Sequence, residues 1–217
     1  MVETSRRREI EDAASSLFRT HGYAGTSVRD IARALDIQGA SLYAHVTSKQ
    51  DVLWSIVERT ASRFEAAADA AMTGTGAVPV VGPASRLAAL VRGHIAVVTD
   101  DLERASVFVH EWRSLDGDRR AQMARRRDAY EARFRGVIRE GIDAGIFAPV
   151  DPVATAAFLL TALNGLVTWY RADGAITPAA IADAYADLAL RSVLALDGEG
   201  QGAGDGQDGA GREAVAG

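Results

Sequence analysis

The sequence predicts an all-α protein, with a small N-terminal three-helix domain followed by a larger helical body. Three observations carry this. Apolar residues recur at helical spacing through most of the chain. Aromatic residues make up only 6% against abundant alanine, which leaves few candidate strands. Glycine and proline fall mainly between the periodic stretches rather than inside them. A length of 217 residues, 48% hydrophobic and 24% charged, allows one or two domains with a real core.

Ile10, Ala14, Leu17 and Phe18 form one stripe of a first helix, with Ser5 as its cap and Gly22 ending it in a left-handed turn. Val28, Ile31, Ala32 and Leu35 repeat the pattern in a second helix, capped by Thr26 or Ser27 and carrying Asp30 near its positive end. A break at Asp36 and Ile37 leads to a third helix over 38–46, with Leu42 and Val46 inward. Ser48 to Asp51 resembles a capping box with Asp in the third helical position. It opens a long fourth helix with Leu53, Ile56, Thr60, Phe64, Ala67 and Ala71 inward. Residues 73–84 contain three Gly and two Pro without a charge, so that helix stops there.

Further helices are predicted over 84–99, 101–114, 117–143, 151–172 and 178–196. Gly145 and Pro149 punctuate them, and Thr177-Pro178 is a cap followed by Pro at the first helical position. The tail, 197–217, has eight Gly and five acids against one Arg. It cannot repay its ordering entropy and is predicted to be disordered. The domain plan is therefore 1–50, a helical head; 51–196, a connector helix and body; and 197–217, the tail.

The chain begins MVETSRRREI without an apolar stretch, which argues against a cleaved secretory signal. The longest apolar candidate for a membrane span, 156–167, is broken by Thr161 and Asn164. Cysteine is absent, so disulfides, thiolate metal sites and cysteine nucleophiles are excluded together. A cytoplasmic protein without a membrane partner is expected. Net charge is −5 and pI about 5.4, which at first argues against nucleic acid. Residues 1–50, however, carry seven basic side chains against six acidic ones, so the acidic excess lies in the rest of the chain. DNA binding needs a local cationic face, not a basic pI.

The informative segment is 26–49, TSVRDIARALDIQGASLYAHVTSK. Two short helices joined by a break of about three residues, the second exposing small and polar groups, make a helix-turn-helix. Ala32 supplies the small residue that close helix crossing needs, and Ile37 anchors the turn. With Leu42 and Val46 inward, Gln38, Gly39, Ala40, Ser41, Tyr43, Ala44 and His45 are left wholly or partly outward.

These residues resemble the TetR family of one-component transcriptional regulators. The match runs through FRTHGYAGTSVRDIA at 18–32, SLYAHVTSK at 41–49, and Val52-Leu53, about 45 residues in register. Three positions depart from the family pattern: Asp36 stands where Gly usually turns the chain, Val46 replaces Phe, and Gln38 replaces a Ser or Thr cap. The resemblance implies a homodimeric regulator, a repressor released by its ligand, binding a palindromic operator in double-stranded DNA without a cofactor. Thr26, Ser27 and Arg29 at the second helix are expected at a phosphate, as helix N-termini bind anions. Tyr43 and His45 resemble family residues that touch the DNA backbone, and Lys49 adds a charged contact. Base reading falls to Gln38, Gly39, Ala40 and Ser41, since Gln pairs with adenine and Ala meets a thymine methyl. Arg6, Arg7 and Arg8 either reach flanking phosphates or are solvated charge.

In the body, polar and aromatic groups sit within apolar helices. Phe108, Trp112, Tyr130, Phe134, Asn164, Thr168 and Trp169 are candidate ligand contacts, each with simple packing as the rival role. Asn164 needs a polar partner, either another helix or a small-molecule effector. The C-terminal half loosely resembles a TetR subgroup whose effectors are acyl-CoA thioesters. Arg119, Arg126 and Arg133 recur every seven residues and suit either CoA phosphates or a salt-bridging face. The apolar helices 151–172 and 178–196, rich in small residues, are expected to form the dimer interface as a four-helix bundle.

An enzyme is not expected. The four His are scattered, no Glu-x-x-His pair marks a carboxylate-bridged metal site, and no catalytic or metal-binding set is present. Gly204-x-Gly206-x-x-Gly209 matches a dinucleotide fingerprint only formally, with neither a strand before it nor a helix after. The alternative reading is a helical ligand-binding or interaction protein with a degenerate DNA head.

Overall fold

The computed structural model describes residues 2–74 and 81–194. Within them the fold is all-α, as expected, and the only β-pairing is an isolated bridge of Phe147 with Leu194. The N-terminal elements are α1 (Val2–Gly25), α2 (Val28–Ala34) and α3 (Gly39–Tyr43). The connector is α4 (Lys49–Thr73), and the body is α5 (Gly82–Asp100), α6 (Leu102–Glu111), α7 (Gly117–Asp143), α8 (Pro152–Asn164), α9 (Leu166–Trp169) and α10 (Pro178–Arg191). A 3₁₀ turn, Trp112–Ser114, continues α6. The predicted tail lies outside the described residues.

α1 begins at Val2 rather than at Ser5, because nothing between them interrupts the helix. It kinks at Gly22, whose φ of 73° and ψ of 162° belong to a region essentially reserved for glycine. Ile10, Ala14 and Phe18 are buried and meet Ile31, Ala32, Leu42 and Val46 in one small core, completed from α4 by Leu53. Asp36 holds the turn after α2 with φ 53°, the left-handed conformation that Asp tolerates better than most residues. α3 is shorter than predicted: Gln38 occupies the cap position without a side-chain hydrogen bond. Gly39 and Ser41 are also weak helix formers.

Ser48 caps α4 by accepting from the Asp51 amide, 3.1 Å. The reciprocal half of the expected box is not made, because the Asp51 carboxylate pairs with Arg119 at 2.5 Å. α4 ends where the composition predicts, on left-handed Gly74. α5 starts at Gly82 with Pro83 in its first turn and is buried on most sides by α4, α7 and α10. The predicted helix over 151–172 is broken at Gly165 and ends at Trp169. Its window Pro152–Trp169 is the one described segment long and apolar enough to suggest a membrane span, at mean hydropathy 1.4. The break leaves α8 with 13 residues, about 20 Å, short of a ~30 Å hydrocarbon core.

The head is tied to the body by specific polar contacts. Glu11 of α1 is buried, accepts from Ser55 Oγ at 2.5 Å and lies 3.4 Å from Arg59. Asp12 pairs with Arg104 of α6. Gln50 donates to the Ser114 carbonyl at 2.8 Å and accepts from the Asp116 amide at 3.1 Å.

Candidate DNA interface and effector cavity

The turn and α3 present the surface that the sequence predicts. Gln38, Ala40, Ser41 and Tyr43 are exposed, Tyr43 at 56%, while Leu42 and Val46 are buried beneath them. Gly39 and His45 are partly exposed. His45 Nδ1 is buried without a partner among the described residues.

Ser27, not Thr26, caps α2. Its hydroxyl accepts from the Asp30 amide at 3.2 Å and donates to Asp30 Oδ2 at 2.6 Å, and the Ser27 amide donates back to the same carboxylate oxygen at 2.9 Å. These hydrogen bonds from Ser27 hold the Asp30 carboxyl below its ordinary range. Arg29 projects into solvent beside this cap.

Two expected phosphate ligands are committed elsewhere. Thr26 is buried and its hydroxyl donates to the Gly22 carbonyl at 2.9 Å, closing the kink of α1. Lys49 Nζ donates to the carbonyls of Tyr23 at 2.8 Å and Thr26 at 2.7 Å, and sits 4.0 Å over the Tyr23 ring. Its ammonium thus staples the α1–α2 corner to the start of α4. Lys49→Ala is therefore expected to cost about 1–3 kcal/mol of stability without any DNA present, the range for losing charge-assisted bonds to carbonyls. Arg29→Ala should leave the melting temperature unchanged and flatten the salt dependence of DNA binding by about one unit. Melting curves and binding isotherms at several salt concentrations separate the two.

A cavity of about 360 Å³ lies in the body between α4, α5, α6, α7 and α8. Of the candidate ligand contacts, Phe108, Trp112, Tyr130 and Asn164 line it. Asn164, at the end of α8, is partly exposed and has no side-chain hydrogen bond among the described residues. Phe134 is fully buried behind Tyr130, with ring centroids 5.6 Å apart, and does not line the cavity. Thr168 and Trp169 also lie outside it. The break at Gly165 turns them to solvent, where the Thr168 hydroxyl donates to the Gly165 carbonyl at 2.7 Å.

Sequence reasoning missed His94, Arg113 and Arg127, all of which line the cavity. His94 is buried, packs 4.6 Å from Phe64, and shares a 3.1 Å hydrogen bond between Nδ1 and the Tyr130 hydroxyl. Burial, and then the charge of Arg127, push its pKa down to about 3. An unfolded imidazole takes its proton near pH 6.5, so the unfolded state binds more protons between about 6.5 and 3. Stability is therefore expected to fall as pH drops through that window, by up to about 1.4 kcal/mol per pH unit. His94→Gln should flatten this part of the melting profile.

Arg119, Arg126 and Arg133 prove to be a salt-bridging face. They meet Asp51 at 2.5 Å, Glu65 at 2.7 Å and Asp69 at 2.9 Å, all on α4.

Comparison with known proteins agrees with this arrangement. Residues 10–56 match the family model for bacterial regulatory proteins of the tetR family, and residues 81–193 match the tetracyclin repressor-like C-terminal domain. The chain is 28% identical to the HTH-type transcriptional repressor KstR2 of Rhodococcus jostii over 87% of this chain and 91% of that one. Its fold matches the TetR-family regulator PfmR of Thermus thermophilus with TM-score 0.74 at 30% identity, covering 84% and 97% of the two chains. AibR, solved with isovaleryl coenzyme A and operator DNA, matches with TM-score 0.72 at 28% identity, covering 84% and 97%.

Proposed function

The chain belongs to the TetR family of transcriptional regulators, and from that premise we propose that it is a homodimeric repressor released from a palindromic operator by an acyl- or arylacyl-CoA effector. Residues 1–50 act as the DNA head and 51–196 as connector, effector and dimer domain, in the cytoplasm where the DNA is. The observation that carries the reading is α3: a short helix anchored by Leu42 and Val46 that turns Gln38, Ala40, Ser41 and Tyr43 outward. Gln38, Gly39, Ala40 and Ser41 read base edges, while Arg29, Tyr43 and His45 position the backbone, with the Ser27-capped start of α2 beside them. Thr26 and Lys49 act indirectly, by fixing the corner that aims these groups.

The cavity supplies the switch. Phe108 and Trp112 in its wall belong to α6 and the turn after it, and the same segment grips the head through Arg104–Asp12 and Gln50–Ser114. An effector that displaces α6 therefore moves α1 and the start of α4. It lowers operator affinity by the difference in its affinity for the two head arrangements. AibR, which binds isovaleryl coenzyme A, supports the effector class. Titrating short, long and aromatic acyl-CoA thioesters into a complex with the gene's own upstream DNA is expected to release the DNA. No release by any of them would overturn the effector class.

A further inference from the structure

Arg127 differs from every other partly buried arginine of α7. Arg119, Arg126, Arg133 and Arg135 each have a carboxylate partner, whereas Arg127 forms no ion pair and no hydrogen bond among the described residues. Its guanidinium lies 5.0 Å from the Phe108 ring centre and 5.1 Å from that of Trp112, at the wall of the cavity. Aromatic contact steadies the group but satisfies none of its five N–H donors. The carboxylates at the cavity wall do not fill the gap: Glu65 is engaged by Arg126 at 2.7 Å and Glu131 by Arg135 at 3.4 Å, and Asp128 is exposed and forms no ion pair among the described residues.

Two further polar atoms in the cavity wall are buried without a partner, Trp112 Nε1 and His94 Nε2. The indole N–H is a donor only. His94 Nδ1 and the Tyr130 hydroxyl share a hydrogen bond, and in the tautomer where Nδ1 accepts, Nε2–H is a second donor. A cation and an indole N–H without an acceptor, with an imidazole nitrogen able to donate beside them, describe a place for negatively charged oxygen. Ala61, Phe64, Phe108 and Leu160 offer apolar wall beside it.

We propose that Arg127 anchors the oxyanion, carboxylate or phosphate, of an amphipathic effector, with Trp112 Nε1–H as a supporting donor and His94 as a second in its Nε2–H tautomer. The inference rests on the reading of this cavity as the effector site. Calorimetric titration of the full chain with four probes tests it: octanoate, methyl octanoate, octanoyl-CoA and S-octanoyl-pantetheine. Octanoate binding tenfold or more above its methyl ester identifies a carboxylate. Octanoyl-CoA exceeding the phosphate-free pantetheine thioester by a similar factor identifies a CoA phosphate. Arg127→Gln should weaken the favoured anion by roughly 10- to 100-fold and leave the neutral probes little changed, with part of the loss restored in Arg127→Lys. Far-UV circular dichroism of each variant controls for folding. Neutral probes binding as tightly as both anions, or an anion preference that survives Arg127→Gln, would overturn the anchor and leave the effector reading standing. Binding of none of the four would overturn both.

Discussion

Leu188→Arg is expected to give a folded monomer whose operator affinity is lower by two to four orders of magnitude. Leu188 on α10 is 62% exposed and Phe158 on α8 is 64% exposed, with Val153 and Trp169 also open on the α8–α9 segment. Their helix mates Ala156, Leu159, Ala186 and Ala189 are buried against the rest of the body. Each helix is thus apolar on a second side that the single chain leaves uncovered, as an isologous four-helix interface requires. An arginine at 188 is solvated in the monomer, so the fold survives, but it would be stranded without a partner at the centre of an interface. Separating the heads removes the gain from binding two half-sites together, which typically amounts to 10²–10⁴. Sedimentation, circular dichroism and DNA-binding isotherms on the one variant check this, and a folded, unchanged dimer would refute the placement. Leu190 and Leu194 are poorer positions for the substitution. Leu190 packs against the core, and Leu194 pairs with Phe147.

The largest effect on stability is expected from Gly141→Ala. Gly141 lies near the end of α7, directly under the ring of Phe147. A Cβ built there would stand 2.1 Å from the Phe147 Cδ2 atom and 2.4 Å from Cε2. The ring cannot simply rotate away, because Phe147 is itself buried and its backbone is bridged to Leu194, just beyond the end of α10. Relieving such an overlap by backbone shift costs about 2–3 kcal/mol, a fall in melting temperature of roughly 5–10 °C for a chain of this size. Thermal melting checks it. A melting temperature within 1–2 °C of the parent (about half a kcal/mol) would show that the α7–α10 corner yields more easily than its packing implies.

The order and approximate limits of the helices were legible because their ends carry chemistry that acts locally. Gly74, Pro83, Gly145 and the Thr177-Pro178 pair stop or start a helix whatever surrounds them. The break at Gly165 was not legible, since the apolar pattern runs through it without interruption. Lys49 and Thr26 have the right chemistry for phosphate, yet their partners are carbonyls that only the folded corner brings near; Lys49 bonds a residue 26 positions away. The arginines of α7 show the same limit more sharply. The seven-residue repeat picks out 119, 126 and 133, and that face meets the acids of α4. One position further, about 100° around the helix, Arg127 turns to the cavity instead. Periodicity finds a face, but it does not say what the face meets.

The central claim is that α3 and its neighbours read a two-fold symmetric DNA site. Selecting bound duplexes from a random-sequence pool with the full chain, without effector, tests it most directly. The expected product is one enriched motif made of two inverted half-sites, their centres about one turn of DNA apart, ~34–36 Å, or a multiple of it. Gln38→Ala should change the preferred bases within each half-site and leave the spacing as it was. No enrichment over non-specific binding, or a motif without two-fold symmetry, would contradict the account.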